Sequence, residues 1–517
     1  MAKPLQPLTI AAPGFLGINT EDSPIGLQPS YASVADNCVI DKKGRIAARK
    51  GYDEVSTNGA SVLGSSRGIE AMFEFTDYSG DVRLISAGNN KVFTGTGTLV
   101  DATPAGYTIS ANNWKIATLA DHVYMFQRGH EPLAGVDSSG SFVLDNISDM
   151  AHAAGTPPQA NEVLAAFGRL WAADLTGNKH TVYWSDSIAA DNNGGLQWTG
   201  GSSGSLDLTT VWPTGYDEIV ALTEHNGFLI IFGKNSIIIY EGATAPETSA
   251  FALKDTIEGV GCIARDSVQA TGNDILFLSA RGVMSLGRVI QEKSLPLRDA
   301  SKNVRSDLMT AVNGSNNPIK TVYSADDAFY LLTIPDSNIT YCFDVRAPLE
   351  DGSFRATTWS GIMPLSFATK AAGGFYMGLD SGTVEYAGYL DGTNTYNLRY
   401  FSNPLDFGSP SIIKFLKKID LIVEGGANST ATLNWAYDYT EDYRTQTFTF
   451  PASSVGEYGV SEYNEIAEFA GGITLNRPRT NATGSGNVIS MGVTSIINNN
   501  AFALQKIDML TITGRLI

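Results

Sequence analysis

The chain has 517 residues, of which 43% are hydrophobic and only 17% are charged, and its formal net charge is −18. This hydrophobic content excludes an intrinsically disordered protein. The acidic balance disfavours a protein that wraps nucleic acid or lies on an anionic membrane, because both need clustered lysine and arginine. The 53 glycines, with abundant Ser, Thr and Asn, are typical of short strands joined by tight turns. We therefore predict an all-β protein.

The chain opens with MAKPLQPLTIAAPGFLGINTEDSP (residues 1–24). Prolines at positions 4, 7 and 13 interrupt the apolar run that a secretory signal needs. The spacing from Gly14 to Gly17 is too short for a phosphate-binding loop, and no Gly-Lys-Ser/Thr follows it. We interpret the stretch as an assembly segment. Its candidate interface residues are Phe15, Leu16, Ile18, Asn19, Glu21 and Asp22.

Residues 38–52, CVIDKKGRIAARKGY, predict a hairpin that turns at Lys42-Lys43-Gly44, where glycine supplies a positive φ. Residues 1–65 show no core of their own, so we assign them to an N-terminal arm. Within this arm, RIAARKGY (45–52) is the candidate for a strand that closes the ring of blades predicted next.

Residues 66–395 contain a weak internal repeat, in which a polar turn, a short apolar strand, a second turn and a β-branched or aromatic strand follow one another. HNGFLIIFGKNSIIIYEG and GNDILFLSARGVMSLG are two instances. The spacing of about 40 to 60 residues is close to that of a four-stranded propeller blade. We predict a β-propeller of about six or seven irregular blades; a solenoid would repeat more regularly, and a sandwich array less evenly. The equivalent positions are Leu84, Val123, Leu170, Phe228, Ile275, Phe329 and Phe375.

Residues 396–517 change character and predict a smaller, sandwich-like C-terminal β domain. TATLNWAYDYTEDYRTQTFTF alternates apolar and polar residues with the period of a strand. KFLKKID (414–420) could be misread as a basic helix, but its alternation fits the solvated edge strand of a sheet better.

Residues that carry chemistry are scattered. No two of the five histidines are closer than eight residues, and none belongs to a zinc-binding motif. Adjacent acidic pairs such as Asp326-Asp327 point to opposite sides of an extended chain. We therefore predict no enzyme activity, no cofactor and no metal. The histidines are His122, His130, His152, His180 and His225.

The three cysteines, Cys38, Cys262 and Cys342, are an odd number and form no CxxC pair. Each lies in an apolar, strand-like context. We interpret them as small buried side chains of a protein that matures in a reducing cytoplasm.

Several phrases of the sequence point to a family when they are taken together. They are PGFLGINTEDSP followed by ADNCVIDKKGRIAARKGY, then LIIFGKNSIIIYEG, EGVGCIARDSV and GNDILFLSARGVMSLG, and finally RYFSNPLDFG before the last domain. This set resembles the tail nozzle proteins, of the tail tubular protein B type, of short-tailed bacteriophages. The N-terminal phrases are the more specific ones, and the likeness touches most of the chain.

The resemblance implies a distorted propeller with an added platform or tip domain. It implies that six copies form a ring below the adaptor ring of the portal vertex, that DNA leaves through the bore without sequence-specific binding, and that tail fibres or spikes dock nearby. The protein would be assembled in the host cytoplasm and reside in the virion tail. No catalytic motif is carried over. A bore lined with part of the acidic charge would repel passing DNA.

Two other classes of function fit the same predicted fold. One is a host-glycan-binding propeller or a receptor-binding protein like a tail spike, and the other is a propeller hydrolase such as a glycosidase. Exposed aromatic residues clustered with carboxylates at the propeller mouth would favour either of them. A stable ring of about six copies without hydrolytic activity would favour the nozzle.

Overall fold

The structure is a computed structural model that describes residues 5–64, 68–138, 141–188, 192–213, 215–272, 274–291, 299–426, 429–450 and 474–514. Its regular structure is mostly β, as predicted. Within these residues there are three short α-helices, Gly59–Leu63, Leu286–Gln291 and Arg305–Asn313.

Four antiparallel sheets follow one another after residue 68, each built from strands that are consecutive in the chain. Tight turns between apolar strands make this meander the natural local fold. The strands of blade 1 are Ile69–Thr76, Val82–Gly88, Lys91–Thr94 and Val100–Asp101; of blade 2, Lys115–Leu119, His122–Phe126, Leu133–Ser138 and Ser141–Asn146; of blade 3, Ala160–Ala166, Arg169–Leu175, Asn178–Trp184 and Gly204–Asp207; of blade 4, Ile219–His225, Phe228–Gly233, Ser236–Glu241 and Ala252–Glu258.

Three more sheets complete the ring, and the last is closed by a strand from the N-terminal arm. The first strand of blade 7 contacts the first strand of blade 1, so the ring is continuous. The strands of blade 5 are Gln269–Ala270, Ile275–Ser279 and Gly282–Ser285; of blade 6, Lys320–Ser324, Phe329–Ile334, Ile339–Asp344 and Arg355–Trp359; of blade 7, Ser366–Thr369, Phe375–Leu379, Gly382–Ala387 and the N-terminal Gly51–Glu54.

The propeller prediction is therefore confirmed. The described chain forms six four-stranded blades and, at blade 5, a three-stranded one. All seven positions that the repeat predicts to be equivalent lie on the second strand of successive blades. This strand is paired on both sides and nearly all of it is buried, so its sequence is a short apolar run between turns.

The C-terminal domain is a two-sheet sandwich, also as predicted, but strands of the N-terminal arm join both of its sheets. The first sheet consists of Gln6–Ala11, Cys38–Ile40, Ile46–Ala48, Lys414–Gly425, Thr474–Asn476, Arg479–Asn481, Ser485–Gly486 and Phe502–Thr513. The second consists of Gly17–Ile18, Tyr31–Asp36, Tyr396–Ser402, Thr430–Tyr437, Arg444–Thr449 and Ile489–Ile497, and through Tyr31–Asp36 it is hydrogen-bonded to blade 6.

The N-terminal arm thus divides between the two parts of the molecule. The predicted hairpin forms between Cys38–Ile40 and Ile46–Ala48, with Gly44 at φ +73° in its turn. Both of these strands pair within the sandwich. The strand that closes the ring, Gly51–Glu54, shares only its first two residues with the candidate RIAARKGY.

The prediction for KFLKKID is right about the strand and wrong about the edge. Lys414–Gly425 has paired strands on both sides, and alternation alone cannot distinguish an interior strand with one solvated face from an edge strand. Lys414 is buried, and its ammonium group donates a 2.7 Å hydrogen bond to the carbonyl oxygen of Asn487.

A single apolar core joins the sandwich to the propeller. The largest cluster of buried side chains includes Phe15 from the N-terminal arm, Leu278 from blade 5, Tyr330 from blade 6 and Leu433 from the sandwich. The sandwich therefore packs on blades 5 and 6 as part of one folded unit.

Candidate functional site

The chain crosses between sandwich and propeller at two places, and one ion pair joins them. It leaves the sandwich strand Ile46–Ala48 at Arg49, and it returns after blade 7 through the turn that holds Asp391. The buried Arg49 guanidinium donates two hydrogen bonds of 2.8 Å to the two carboxylate oxygens of Asp391. It also lies 4.0 Å from the ring centre of Tyr396, within cation–π range. We call Arg49, Asp391 and Tyr396 the crossover clasp.

The first half of the predicted assembly segment is seated in the molecule's own core. The Phe15 side chain has no exposed surface, and its ring meets that of Tyr400 edge to face at 5.5 Å between centres. Gly17–Ile18 runs parallel to the next strand, and both residues are buried. Leu16 is partly buried, and its N–H donates a hydrogen bond to the carbonyl oxygen of Ser30. These residues anchor the segment.

The second half of the segment forms a turn that is held at its base. The buried Asn19 side-chain oxygen accepts hydrogen bonds from the backbone N–H groups of Glu21 and Asp22, both at 3.1 Å. The Glu21 carboxylate accepts hydrogen bonds from the backbone N–H and the hydroxyl of Ser306, in the first turn of a helix, where the helix dipole favours negative charge. Asp22 is exposed, and Ile25 is 61% exposed.

The six predicted interface residues therefore differ in their exposure to solvent. Phe15, Ile18 and Asn19 are buried, and Leu16 and Glu21 are half-buried against their own chain. Residues 20–26, which we call the N-terminal turn, are exposed except for Glu21.

A second group of charged side chains lies at the centre of the propeller. The members come from blades that are far apart in the chain. They are Lys115 and Glu162 from the first strands of blades 2 and 3, Arg265 and Asp266 from the turn before blade 5, and Lys320 from the first strand of blade 6. We call these five residues the central charge network.

Asp266 is the residue on which the cations converge. Its carboxylate oxygens accept hydrogen bonds of 2.9 and 2.8 Å from the Arg265 guanidinium, and one of them lies 2.7 Å from the Lys320 Nζ. The Lys115 Nζ lies 3.7 Å from the other oxygen. Burial alone would raise the pKa of Asp266, but the three cations hold it well below its usual range. Asp266 therefore stays ionised.

Arg265 also reaches across the ring to the start of blade 2. One of its terminal nitrogens donates a 2.9 Å hydrogen bond to the side-chain oxygen of Asn113, and the other donates a 2.8 Å hydrogen bond to the carbonyl oxygen of Asn161. The Lys320 ammonium donates to the same side-chain oxygen of Asn113. Side chains from distant blades thus fill the centre of the propeller at this level.

Glu162 is the least satisfied member of the network. One of its carboxylate oxygens accepts a 3.3 Å hydrogen bond from the backbone N–H of Leu222 in blade 4. The other lies 3.8 Å from the Lys115 Nζ and accepts no hydrogen bond from the described residues. Burial raises the pKa of Glu162 to about 7. Its charge therefore changes near neutral pH.

A cavity of about 460 Å³ opens beside the network, lined by Asn113, Asn161, Arg265, Asn313 and Asn317 among others. All three guanidinium nitrogens of Arg265 already donate to protein oxygens. The arrangement therefore holds blades together and leaves Arg265 no unused nitrogen with which to bind an anion.

Sequence reasoning missed the central charge network and the crossover clasp. The network spans residues 115 to 320, and only ring closure brings it together. A usable signal was present, since each of its members interrupts or borders an apolar strand pattern, as in ANEVLAA, CIARDSV and IKTVYS. A charged side chain in such a position is costly to bury unless it has a partner of opposite charge, so it indicates a buried ion pair.

The cysteines are buried and unpaired, as predicted. Burial raises the pKa of the Cys262 thiol to about 11, and it also raises the pKa of the Cys38 and Cys342 thiols well above the usual value, which makes all three poor nucleophiles. In the part of the chain that the structure describes, His, Cys, Asp and Glu side chains form no group of three or more that could hold a metal ion. None of the described helices is long and apolar enough to cross a membrane.

Fold and site together define a propeller–sandwich protein whose propeller centre is filled by charged side chains. No family model and no curated protein matches the sequence significantly. Several solved structures match part of the chain. PorZ of Porphyromonas gingivalis, a surface component of the type-IX secretion system, is 12% identical with a TM-score of 0.35; the match covers 62% of this chain and only 37% of PorZ.

Two further structures have comparable values. The WD40 domain of Pan2 from Neurospora crassa is 8% identical, with 65% of this chain and 95% of that domain covered and a TM-score of 0.35. A candidate 6-phosphogluconolactonase of Bacteroides fragilis is 13% identical, with 60% and 88% covered and a TM-score of 0.36. At these identities and TM-scores, the matches say nothing about what this protein does.

Proposed function

We propose that this protein is a structural component of a bacteriophage tail, the nozzle that forms the conduit for DNA ejection below the portal–adaptor complex. In this role six copies form a ring, the adaptor binds above it, and tail fibres or spikes dock nearby. The protein acts as a virion component and catalyses no reaction.

One observation carries the proposal: three of the six phrases that resemble nozzle proteins contribute residues to the joints of this fold. EGVGCIARDSV supplies Arg265 and Asp266 of the central charge network. PGFLGINTEDSP supplies the buried anchor Phe15 and the N-terminal turn. ADNCVIDKKGRIAARKGY supplies the sandwich hairpin and Arg49 of the crossover clasp. The resemblance thus falls on residues that determine the architecture.

The filled propeller centre bears on where DNA would pass. Arg265 and Asn113 meet across the ring, so the propeller of one copy is not itself a duplex-sized channel. A conduit for DNA must therefore lie between copies. The charge of −18 on each copy favours passage without adhesion, since like charges repel within the screening length of about 8 Å at physiological salt.

The test is to purify the full-length protein, mix it with the matching adaptor protein, and examine the product by negative-stain microscopy and light scattering. Rings of about six copies that bind the adaptor are expected. Particles that remain monomeric and never bind the adaptor would rule the nozzle out.

A matched pair of variants tests whether the N-terminal turn is the interface. Ile25→Asp places a charge on the exposed turn, whereas Val143→Asp places the same charge on the exposed outer strand of blade 2. We expect Ile25→Asp to reduce ring formation or adaptor binding at least tenfold and Val143→Asp to leave both unchanged. Equal behaviour of the two variants would remove the turn from the interface without affecting the ring proposal.

A further inference from the structure

A groove of about 660 Å³ lies on blade 3, between the segment that leads into its first strand and the long connection between its last two strands. Its volume is within the range of small-ligand sites. We call it the blade 3 groove. The groove is on blade 3, whereas the sandwich packs on blades 5 and 6. It shares no lining residue with the central charge network.

Two aromatic rings, of Tyr183 and Trp198, form part of the groove, and both are held in place. The indole N–H of Trp198 donates a 3.1 Å hydrogen bond to the carbonyl oxygen of Gly195, and the ring packs against Phe126 at 6.0 Å between centres. The Tyr183 hydroxyl accepts a 2.8 Å hydrogen bond from the side chain of Asn178. Both side chains are only half-buried, so part of each is open to the groove. Rings fixed in this way bind a ligand at little cost in conformational entropy.

The polar part of the lining consists of neutral groups with unused hydrogen-bonding capacity. The side chains of Gln159, Thr176, Thr199 and Ser205 are exposed and make no hydrogen bond within the described residues. Hydroxyl and amide groups can both donate and accept. None of the thirteen lining residues is charged, although the protein as a whole carries −18. The groove is therefore suited to a ligand that is neutral and rich in hydroxyls.

We propose that the blade 3 groove binds a neutral oligosaccharide. The apolar face of a sugar ring stacks on Trp198 or Tyr183, and its hydroxyls exchange hydrogen bonds with Gln159, Thr199 and Ser205. A proline-rich peptide would also fit aromatic rings, but its proline residues lack N–H groups and offer mainly carbonyl acceptors. A row of groups that both donate and accept matches a polyol better.

The inference is independent of the nozzle proposal, because it concerns one chain and its test needs no ring. The full-length protein is applied to an array of neutral and acidic oligosaccharides, and the best neutral ligand is then titrated by calorimetry and by saturation-transfer NMR. Trp198→Ala should weaken binding at least tenfold. Tyr78→Ala, which removes an exposed ring from blade 1, should leave binding unchanged.

Gln159→Ala is the second variant, because this exposed side chain can be removed without loss of packing; it should weaken binding about three- to tenfold. Four outcomes would overturn the proposal: no neutral oligosaccharide binds at millimolar concentration, acidic ones bind equally well, binding survives both groove variants, or a proline-rich peptide binds in place of the sugar.

Discussion

Two buried arginine–aspartate pairs hold this molecule together, and their surroundings differ. In the propeller centre, Arg265 and Asp266 share their site with two further cations, and the hydrogen bonds reach across the ring. In the crossover clasp, Arg49 and Asp391 form a pair with matched charges, and an aromatic ring covers the guanidinium.

The propeller centre and the crossover clasp have different structural requirements. Among the described residues, the main strand-to-strand contacts between blades join neighbouring blades. The central network adds side-chain contacts between distant blades, and it buries an excess of positive charge. The crossover clasp joins two segments of one chain next to a continuous apolar core, so its pair only has to fix their geometry. We therefore expect the central network to be the more sensitive of the two to charge removal.

The largest effect is expected for Asp266→Asn. This change leaves Arg265 and Lys320 buried without their anion, and breaking a buried ion pair in this way costs about 3–5 kcal/mol. Chemical denaturation should show a large fall in the unfolding free energy of the propeller. A loss below about 1 kcal/mol would mean that the network is solvated and does not hold the blades.

Glu162→Gln should act with the opposite sign and depend on pH. The pKa of Glu162 is raised to about 7 in the folded protein, so between about pH 4.5 and 7 the folded state keeps a proton that the unfolded state has released. This contribution to stability is complete below pH 4.5 and is lost as the pH rises through 7. The difference in unfolding free energy between variant and wild type should therefore shift by about 3 kcal/mol in favour of the variant from pH 4.5 to 8.

Unfolding free energies measured at several pH values check the Glu162 prediction. Glu258→Gln, which removes the same charge from an exposed strand position, is the control. A wild-type-to-variant difference that does not change with pH would contradict a proton on Glu162.

Asp391→Asn in the crossover clasp should cost less than Asp266→Asn. Arg49 keeps its hydrogen bond to the Asn37 side chain and its contact with Tyr396, so the loss is that of a charged hydrogen-bonded partner, about 1.5–3 kcal/mol. Hydrogen exchange should localise the weakening to the two crossings near residues 49 and 391. A cost equal to or larger than that of Asp266→Asn would reverse the comparison.

The smallest effect belongs to an exposed pair beside the N-terminal turn. The Lys302 Nζ lies 2.7 Å from a carboxylate oxygen of Asp351, and the two side chains are 49% and 37% exposed. Partial burial opposes the shift, but hydrogen bonds from Lys302 and Ser353 lower the pKa of Asp351 to about 2. Lys302→Ala should cost less than about 1 kcal/mol, and the effect should shrink in high salt. A larger loss in 1 M salt would indicate a packing role for the lysine.

Much of the fold could be predicted from the sequence because the second strand of each blade has a local signal. Phe329 and Phe375 begin apolar runs that follow polar turns, and this pattern recurs at blade spacing. This signal does not reveal that blade 5 has three strands in the described part of the chain, where helices follow its third strand. The N-terminal strands of the sandwich could not be predicted either, because their partners are hundreds of residues away.

The candidate sites were less predictable for the same reason. The N-terminal segment was recognised, but the burial of Phe15 depends on Tyr400, which no local pattern connects with it. Glu162 and Lys320 interrupt or border apolar strand patterns, which indicates a buried partner but does not tell which residue that partner is. Their role in the central charge network is visible only in the closed ring, which brings them close to Arg265 and Asp266.

The pairing of Gln6–Ala11 with Phe502–Thr513 has a consequence for the order of folding. The N-terminal strand is among the first parts of the described chain to be synthesised, and its partner is among the last. Contacts between segments so far apart form late, because the entropy cost of closing a long loop comes before the contacts can stabilise the fold. We expect the blades to form first and the N-terminal turn to reach its final position only when nearly the whole chain is present, so that an unfinished chain does not display it.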